Sequence, residues 1–303
     1  MPRGRFAPSP SGDLHLGGAR TALAAWLAAR RDGAEFLVRI EDVDRPRVVP
    51  GAEARILEDL RWLGLDWDSE PVRQSQRLTA YNQALVSLEQ QRGLFPCFCS
   101  RADVAEAASA PHAPAQAYPG TCRELSASEI ARREGAGRRP SLRFRAPDRE
   151  LSFEDAVHGS VVGRADDFVV RRSDGLHAYQ LAVVADDIAS GIEEVVRGDD
   201  LLESTPRQLL LYEALGAPPP RFAHVPLLLG PDGQRLSKRH GAMGVRALRA
   251  AGWAPEQVIG WLAAGLGLCP PGERLQPAEL LPGFSFGRIA CEPVSIDRDS
   301  GLP

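Results

Sequence analysis

Lysine is almost absent from this sequence of 303 residues, in which Lys238 is the single lysine among 36 basic residues and every other one is an arginine. An ammonium is a compact, strongly hydrated point charge, whereas a guanidinium is a planar fork of donors. Lys238 lies in the glycine-flanked loop GQRLSKRHGA at 233–242. Two interpretations stay open. Either the position needs an ammonium to meet a phosphate oxygen, or the lysine lies there by chance.

Long apolar segments are also missing. The N-terminus MPRGRFAPSP has no apolar core of the kind that secretory signal peptides contain. The longest uncharged apolar run, VIGWLAAGLGLC at 258–269, is too short to cross a bilayer and predicts a buried helix. Five cysteines without a signal sequence argue against a secreted disulfide framework. We therefore expect a cytoplasmic monomer without a membrane segment, whose thiols are reduced or bind metal.

A surplus of positive charge is absent as well. The net charge of -4 argues against a general nucleic-acid coat protein, although a local basic face on an acidic body would still allow a specific RNA partner. The stretch RREGAGRRPSLRFRAPDR at 132–149 holds seven arginines and two acidic residues. It is either a solvated surface or a contact surface for phosphates. The proportions of 44% hydrophobic and 25% charged residues are those of an ordinary globular protein.

The first forty residues predict a β-α-β unit. GRFA is a short strand, and a helix follows with apolar residues at 16, 19, 23, 26 and 27, with Asp13 as a candidate cap and Gly33 at its end. EFLVRI at 35–40 is nearly continuous in its apolar character, as expected for a parallel strand that is covered on both faces. The pattern predicts an α/β fold with a doubly wound, Rossmann-like parallel sheet.

Changes in composition divide the rest of the chain. We expect the sheet domain at 1–96 and 176–242, an inserted subdomain at 97–175, and a short helical C-terminal region at 243–303. Further helices are predicted at 51–63, 76–92 and 203–215, with strands at 194–197 and in HVPLLLG at 224–230.

Two short motifs are expected to meet at the carboxyl edge of this sheet. HLGG at 15–18 lies at the first turn of the first helix, where unpaired backbone N–H groups bind anions and the glycines allow close approach of a nucleotide. His15 can donate to a phosphate oxygen, although a histidine and two glycines at a helix start more often serve packing and capping. The loop with Ser237 and Lys238 follows the last strand and reaches the same edge.

Three cysteines form a separate candidate site. Cys97 and Cys99 in CFCS, with Cys122 in YPGTC, offer three soft ligands, and a tetrahedral structural zinc needs a fourth. His112 and Tyr118 are the candidates for that ligand, and a cysteine cluster without metal is the alternative. Cys269 and Cys291 match no motif and are expected to be ordinary free thiols.

Three stretches together resemble the catalytic core of class I glutamyl-tRNA synthetases. They are RFAPSPSGDLHLGGARTALAAWL at 5–27, RIEDVDRPR at 39–47 and HVPLLLGPDGQRLSKRHGA at 224–242. The family's His-Ile-Gly-His signature falls on 15–18 and its Lys-Met-Ser-Lys-Ser signature on 235–239. Gly18 and Arg235 depart from these signatures, whereas Lys238 is retained. The likeness covers roughly residues 3–245.

The resemblance implies ATP-dependent activation of L-glutamate with Mg²⁺, in which His15 and Lys238 are catalytic. The residues that it places around ATP are Pro8, His15, Gly17, Gly18, Ser237 and Lys238. Those that it places around glutamate are Arg5, Ala7, Ser9, Glu41, Tyr179 and Arg197. Arg5 can grip a carboxylate bidentately, and Glu41 receives the α-ammonium. Without the resemblance, Arg5 and Glu41 would simply pair across neighbouring strands and Tyr179 would be a core residue.

The short segment after the lysine loop narrows the resemblance. The 64 residues at 240–303 are too few for the helical anticodon-binding region of a conventional family member. The chain resembles short members that transfer glutamate to the queuosine base at the wobble position of tRNA(Asp). Their Cys-x-Cys, Tyr-x-x-x-Cys zinc site favours Tyr118 over His112 as the fourth ligand. The alternatives are a truncated enzyme that charges an acceptor end and a non-catalytic RNA-binding paralogue.

Overall fold

A seven-stranded, mostly parallel sheet organises the chain in a computed structural model, which describes residues 1–108, 118–230, 233–234 and 244–295. The strands are β1 Arg3–Phe6, β2 Glu35–Ile40, β3 Val72–Arg73, β4 Leu94–Cys97, β5 Ser141–Phe144, β6 Glu150–Asp155, β7 Gly159–Arg164, β8 Phe168–Arg171, β9 Glu194–Gly198, β10 Arg221–Val225, β11 Leu228–Leu229 and β12 Val294–Ser295. The helices are α1 Leu16–Arg31, α2 Ala52–Trp62, α3 Leu78–Gln90, α4 Arg101–Ala108, α5 Ala127–Gly135, α6 Tyr179–Ser190, α7 Thr205–Ala214, α8 Val245–Ala250 and α9 Pro255–Ala264. The predicted α/β fold is confirmed.

The strand order of the large sheet is β3-β2-β1-β9-β10-β6-β7. All neighbouring pairs are parallel except β6 and β7, which form an antiparallel hairpin. The chain first adds strands on one side of β1 and later returns to add β9 and β10 on the other. The order therefore reverses between β1 and β9, and such a switch point opens a crevice at the carboxyl ends of the strands.

Side chains of the central strands alternate between two hydrophobic cores. In β2, Phe36 and Val38 face a core that includes α1, α2 and α9, whereas Leu37 packs against a core that includes α3, α6 and α7. In β9, Val196 and Val195 divide in the same way. Successive side chains of a strand point to opposite faces, so the sheet is buried on both sides. This double burial explains why EFLVRI lacks an alternating polar pattern.

The N-terminus of α1 differs from the prediction. His15, not Asp13, is the N-cap, and its Nδ1 accepts a hydrogen bond of 2.9 Å from the Gly18 backbone N–H. Asp13 lies too early in the chain to cap a helix that begins at Leu16, and its carboxylate pairs with Arg55 at 2.5 Å. The predicted end is correct, because Gly33 follows the helix with a left-handed φ of 62°.

A second, three-stranded antiparallel sheet has the order β4-β5-β8 and carries the cysteine region. The hairpin β6–β7 lies between β5 and β8 in sequence, yet it joins the large sheet, where Asp155 pairs with Phe222 of β10. HVPLLLG does not form one strand. Pro226 has no N–H to donate to a ladder, so β10 ends at Val225 and the short β11 pairs with β12 instead.

The C-terminal helices α8 and α9 pack on the α1 side of the sheet, where Val258, Ile259 and Leu262 are fully buried. Across the part of the chain that the structure describes, no helix combines the length and apolar character needed to cross a bilayer.

Candidate active site

A cleft of about 820 Å³ opens at the carboxyl ends of β1, β2 and β9, at the switch point of the sheet. It brings together every described residue that the sequence assigned to ATP or glutamate, namely Arg5, Ala7, Pro8, Ser9, His15, Gly17, Gly18, Glu41, Tyr179 and Arg197. Ser237 and Lys238 lie outside the described residues. Leu228 and Gly244, on either side of their loop, line the same cleft.

His15 and the following turn form one end of the cleft. Because His15 Nδ1 accepts the Gly18 N–H, the neutral ring carries its hydrogen on Nε2, which is then a donor. A Cβ atom on Gly17 would lie 3.2 Å from His15 Nδ1, and one on Gly18 would lie 3.1 Å from Leu14 Cδ1. A side chain at either position would therefore require His15 or Leu14 to shift by a few tenths of an ångström. The Val245 N–H donates to the Leu14 carbonyl at 3.0 Å, which ties the start of α8 to the same turn.

Four polar residues share one face of the neighbouring strands β2, β1, β9 and β10. The register aligns Arg5 with Leu37 and Val195, and His224 with Arg197. This face of the sheet is covered by α6 and α7. Its apolar residues Leu37, Val195 and Phe222 are each followed two positions later by one of the polar residues, namely Arg39, Arg197 and His224. The carboxyl ends of the strands thus carry a buried row of basic side chains.

Arg5 has an acidic partner. Two of its N–H groups donate to the Asp187 carboxylate at 3.3 and 3.4 Å, and a third donates to the Val196 carbonyl at 3.3 Å. The side chains of Arg5 and Asp187 are only 4% and 2% exposed. The interpretation that Arg5 pairs with Glu41 is wrong, because α6 places Asp187 beside Arg5. Asp187 also accepts a hydrogen bond from Arg39, so two arginines share this carboxylate and the charge of Arg5 is balanced only in part.

Glu41 lies at the end of β2, where its backbone N–H donates to the Pro8 carbonyl at 3.0 Å. Its carboxylate accepts a hydrogen bond of 3.3 Å from Arg39. Burial raises the pKa of Glu41 above its ordinary value, although Arg39 and Arg5 oppose the shift. A second cation beside this carboxylate, such as an ammonium group, would stabilise its ionised form.

Arg197 differs from Arg5, because neutral groups accept its hydrogen bonds. Its Nε donates to His224 Nε2 at 2.9 Å, its Nη1 to Gln208 Oε1 at 2.6 Å and its Nη2 to Thr205 Oγ1 at 2.9 Å. Within the described part of the chain, no carboxylate forms an ion pair with Arg197. Burial lowers the pKa of this guanidinium, so an anionic ligand would relieve an uncompensated buried charge.

Tyr179, the first residue of α6, is half-buried and lines the cleft between these arginines. Burial raises the pKa of its hydroxyl, so the group is a neutral donor at physiological pH. Sequence reasoning missed Arg39, Asp187 and His224. Arg39 and His224 did carry a signal, since each is a polar residue near the end of an otherwise apolar strand.

The three predicted cysteines converge beside β4 and β5. Their sulfurs lie within 4.8 Å of one another, and those of Cys99 and Cys122 are 3.7 Å apart. A tetrahedral zinc ion, with Zn–S distances of about 2.3 Å, places its sulfurs roughly 3.8 Å apart. The cysteine geometry therefore fits a zinc site.

Tyr118 brings a hydroxyl oxygen next to this cysteine cluster. Its hydroxyl lies 3.4 Å from Cys97 Sγ and accepts the Cys122 N–H at 2.8 Å. Tyr118 is largely buried, and the Arg143 guanidinium stacks 3.8 Å from its ring centroid. Burial and the neighbouring Cys97 raise the pKa of the Tyr118 hydroxyl, so it ionises only with a cation such as zinc beside it. The alternative ligand His112 lies outside the described residues.

Comparisons of sequence agree with the geometry. A family model described as "tRNA synthetases class I (E and Q), catalytic domain" matches residues 2–274. The Glutamyl-Q tRNA(Asp) synthetase of Symbiobacterium thermophilum is 52% identical over 311 residues, which cover 98% of this chain and 96% of that relative. The protein of the same name from Nocardia farcinica is also 52% identical, over 99% of this chain and 94% of its own length.

A solved structure shows the same fold. The crystal structure of a glutamate-tRNA synthetase from Elizabethkingia anophelis matches with a TM-score of 0.86 and 30% identity, over 99% of this chain and 69% of that one. The sequence family and the fold therefore point to the same group of proteins.

Proposed function

The chain belongs to the class I tRNA synthetases of the E and Q type, and from that membership we propose that it activates L-glutamate with ATP. We propose that this activation does not require tRNA. We propose further that it transfers the glutamate to the queuosine base at the wobble position of tRNA(Asp). The observation that carries the first step is the cleft, in which two buried arginines and a buried glutamate lie beside the glycine turn of His15.

The glutamate pocket uses the charges of its walls. Arg197 receives the side-chain carboxylate, because its own neighbours leave its charge uncompensated. Glutamine would leave that charge buried and unpaired, and such a loss discriminates strongly between isosteric ligands. Glu41 accepts a hydrogen bond from the α-ammonium, and Arg5 attracts the substrate's carboxylates at longer range. Ala7, Ser9 and Tyr179 complete the wall.

Adenylation occurs at the His15 end of the cleft. An oxygen of the glutamate α-carboxylate attacks the α-phosphorus of ATP, and the bond from that phosphorus to the leaving pyrophosphate breaks. Pro8, Gly17 and Gly18 form the surface on which the nucleotide lies, and His15 Nε2 donates to a phosphate oxygen. Ser237 and Lys238 would meet the growing charge on the phosphates. Mg²⁺ would arrive bound to the phosphates of ATP and neutralise part of their charge.

Transfer uses the activated carbonyl. A hydroxyl of the queuosine cyclopentenediol attacks the carbonyl carbon of glutamyl-adenylate, and the bond from that carbon to the phosphate oxygen breaks. AMP leaves, and the hydroxyl proton passes to its phosphate. The anticodon loop is single-stranded and offers unstacked bases to a protein. Cys97, Cys99, Cys122 and Tyr118 would hold one structural zinc ion and stabilise the region around β4 and β5. The 52% sequence identity, over nearly the full length, to relatives named Glutamyl-Q tRNA(Asp) synthetase supports the choice of acceptor.

The first test is ATP–pyrophosphate exchange with glutamate, glutamine or aspartate, without tRNA. We expect exchange with glutamate alone. An absence of exchange with all three would refute the activation step and favour a non-catalytic RNA-binding protein.

The second test uses labelled glutamate and three acceptors: tRNA(Asp) with queuosine, tRNA(Asp) without it, and tRNA(Glu). We expect label only on the first, and periodate treatment of the cyclopentenediol should abolish the transfer. Label on the acceptor end of tRNA(Glu) would instead assign the chain as an enzyme that charges acceptor ends.

A further inference from the structure

His224 and Asp155 form a buried pair directly behind Arg197. Both side chains are completely buried, and His224 Nδ1 lies 2.6 Å from Asp155 Oδ2. His224 is the cross-strand neighbour of Arg197 in the β9–β10 register. The pair does not line the cleft, so it contacts the proposed substrate only through Arg197.

The hydrogen bonds fix the tautomer of His224. A guanidinium donates and never accepts, so the 2.9 Å contact from Arg197 Nε requires that His224 Nε2 carry no hydrogen. The single ring hydrogen must then be on Nδ1, where it is donated to Asp155. Burial lowers the pKa of His224, which agrees with a neutral ring. His224 therefore presents a lone pair to Arg197 and adds no charge.

Asp155 is itself held in place by the backbone. Its Oδ1 accepts the N–H groups of Val157 and His158, each at 3.0 Å, and that of His224 at 3.2 Å. Burial opposes ionisation of Asp155, but the bonds from His224 and the backbone hold its pKa below the ordinary value. An anchored carboxylate leaves its second oxygen as a fixed acceptor, which selects the Nδ1–H tautomer of His224.

We propose that His224, oriented by Asp155, is a positioning residue that fixes Arg197 for recognition of the substrate's side-chain carboxylate. The inference rests on the proposed function and adds two residues to it. Because His224 is a neutral acceptor for the Nε–H of Arg197, it fixes the orientation of the guanidinium plane without compensating the positive charge. Gln208 accepts one N–H of Nη1, whereas Thr205 and, at 3.5 Å, the Leu201 carbonyl accept from Nη2. The second N–H of Nη1 is therefore the donor that this arrangement leaves for the ligand.

Two substitutions of His224 separate positioning from packing. In His224→Gln, the amide oxygen reaches the place of Nε2 and keeps an acceptor for Arg197. In His224→Asn, the shorter amide reaches the place of Nδ1 and keeps a donor for Asp155, but Arg197 loses its acceptor. We expect His224→Asn to raise the KM for glutamate in pyrophosphate exchange by about tenfold or more, the scale of one buried donor left unsatisfied. His224→Gln should remain within about threefold of the wild type.

Asp155→Asn is a third variant, which reverses the tautomer. The asparagine amide can donate to Nδ1, and the ring then carries its hydrogen on Nε2, against the Arg197 donor. We expect a glutamate KM as high as that of His224→Asn. In ¹⁵N NMR spectra the hydrogen-bearing nitrogen of His224 should change from Nδ1 to Nε2.

The KM for ATP and the melting temperature complete the test. Positioning predicts that the KM for ATP stays within about twofold in all three variants. An equal rise of the glutamate KM in His224→Asn and His224→Gln, or a parallel rise of the KM values for glutamate and for ATP, would overturn the proposal in favour of a packing role. So would an Nε2–H tautomer in the wild-type protein. A wild-type chain without glutamate-dependent exchange would instead refute the proposed function, and this inference with it.

Discussion

The cleft and the cysteine cluster are assembled in opposite ways. The cleft collects side chains from Arg5 to Ala247, nearly the whole described chain, and holds them by the register of parallel strands. The cluster collects its four candidate ligands from the 26 residues at 97–122, beside one small antiparallel sheet. The cleft presents charged and hydrogen-bonding groups for anions, and the cluster presents sulfur for a soft metal.

This difference indicates that the reaction in the cleft does not depend on the local stability of the region around the cysteine cluster. The cleft belongs to the central sheet with its two large hydrophobic cores, whereas the cluster has a small core of its own around Phe95, Phe98 and Tyr118. A change at one region should therefore leave the other intact.

The largest effect is expected from Lys238→Arg. The substitution keeps the charge, but a planar fork replaces a point charge that can turn toward a single phosphate oxygen. We expect glutamate-dependent pyrophosphate exchange to fall by about 10²- to 10³-fold, as for the loss of one transition-state donor, while the zinc content stays constant. The matched control is Arg235→Lys in the same loop, which should retain activity.

An exchange rate for Lys238→Arg within about threefold of the wild type would contradict the role of the ammonium. The scarcity of lysine in this chain would then have no functional meaning at that position.

The reciprocal change is Cys99→Ser in the cluster. Serine is a poor ligand for zinc, so we expect bound zinc, measured by atomic absorption, to fall from one ion per chain to nearly none. Hydrogen exchange should accelerate in β4, β5 and the segment around Tyr118, because the metal no longer holds them together. Pyrophosphate exchange should change by no more than about threefold.

Cys291→Ser is the control, because this exposed thiol lies outside the cluster. A wild-type chain that binds no zinc after purification without chelators would refute the metal assignment. Loss of pyrophosphate exchange in proportion to zinc would refute the separation of the two regions.

The same contrast explains which features could be predicted from the sequence. The cysteine site follows from local spacing, and Tyr118 lies only four residues before Cys122. The strand β2 and the His15 turn also follow from local patterns of apolar residues and glycine. The Arg5–Asp187 pair joins residues 182 positions apart, and the His224–Asp155 pair joins residues 69 positions apart. These contacts depend on strand order and register, which a single sequence does not specify.

Asp59 tests whether a buried charge near the cleft needs a partner. Its side chain in α2 is completely buried, and neither carboxylate oxygen accepts a hydrogen bond within the described structure. Its neighbour is Arg246 of α8, whose Nε lies 3.4 Å away, and Arg246 lines the cleft. Burial raises the pKa of Asp59 to about 6. The folded protein therefore holds this proton at a pH where the unfolded chain, with a pKa of about 3.9, has released it.

The sign of the pH dependence follows from that shift. Stability from Asp59 is highest below pH ~4 and falls as the pH rises to about 6, where the buried carboxyl ionises. Asp59→Asn cannot ionise, so we expect its free energy of unfolding to exceed that of the wild type at pH 8 but not at pH 4. The gain should be at most about 3 kcal/mol, because a pKa difference between about 3.9 and about 6 corresponds to that free energy and already includes the attraction of Arg246.

Asp187→Asn is the matched control with the opposite sign. Burial alone would raise the pKa of Asp187, but Arg39 and Arg5 hold it below the ordinary value. Its contribution to stability is therefore present at neutral pH and declines in acid. Urea denaturation at both pH values compares the two variants. If Asp59→Asn destabilises the protein at pH 8 as Asp187→Asn does, the contact with Arg246 outweighs the cost of burial. The lining of the cleft at Arg246 would then be held by an ion pair, as it is at Arg5.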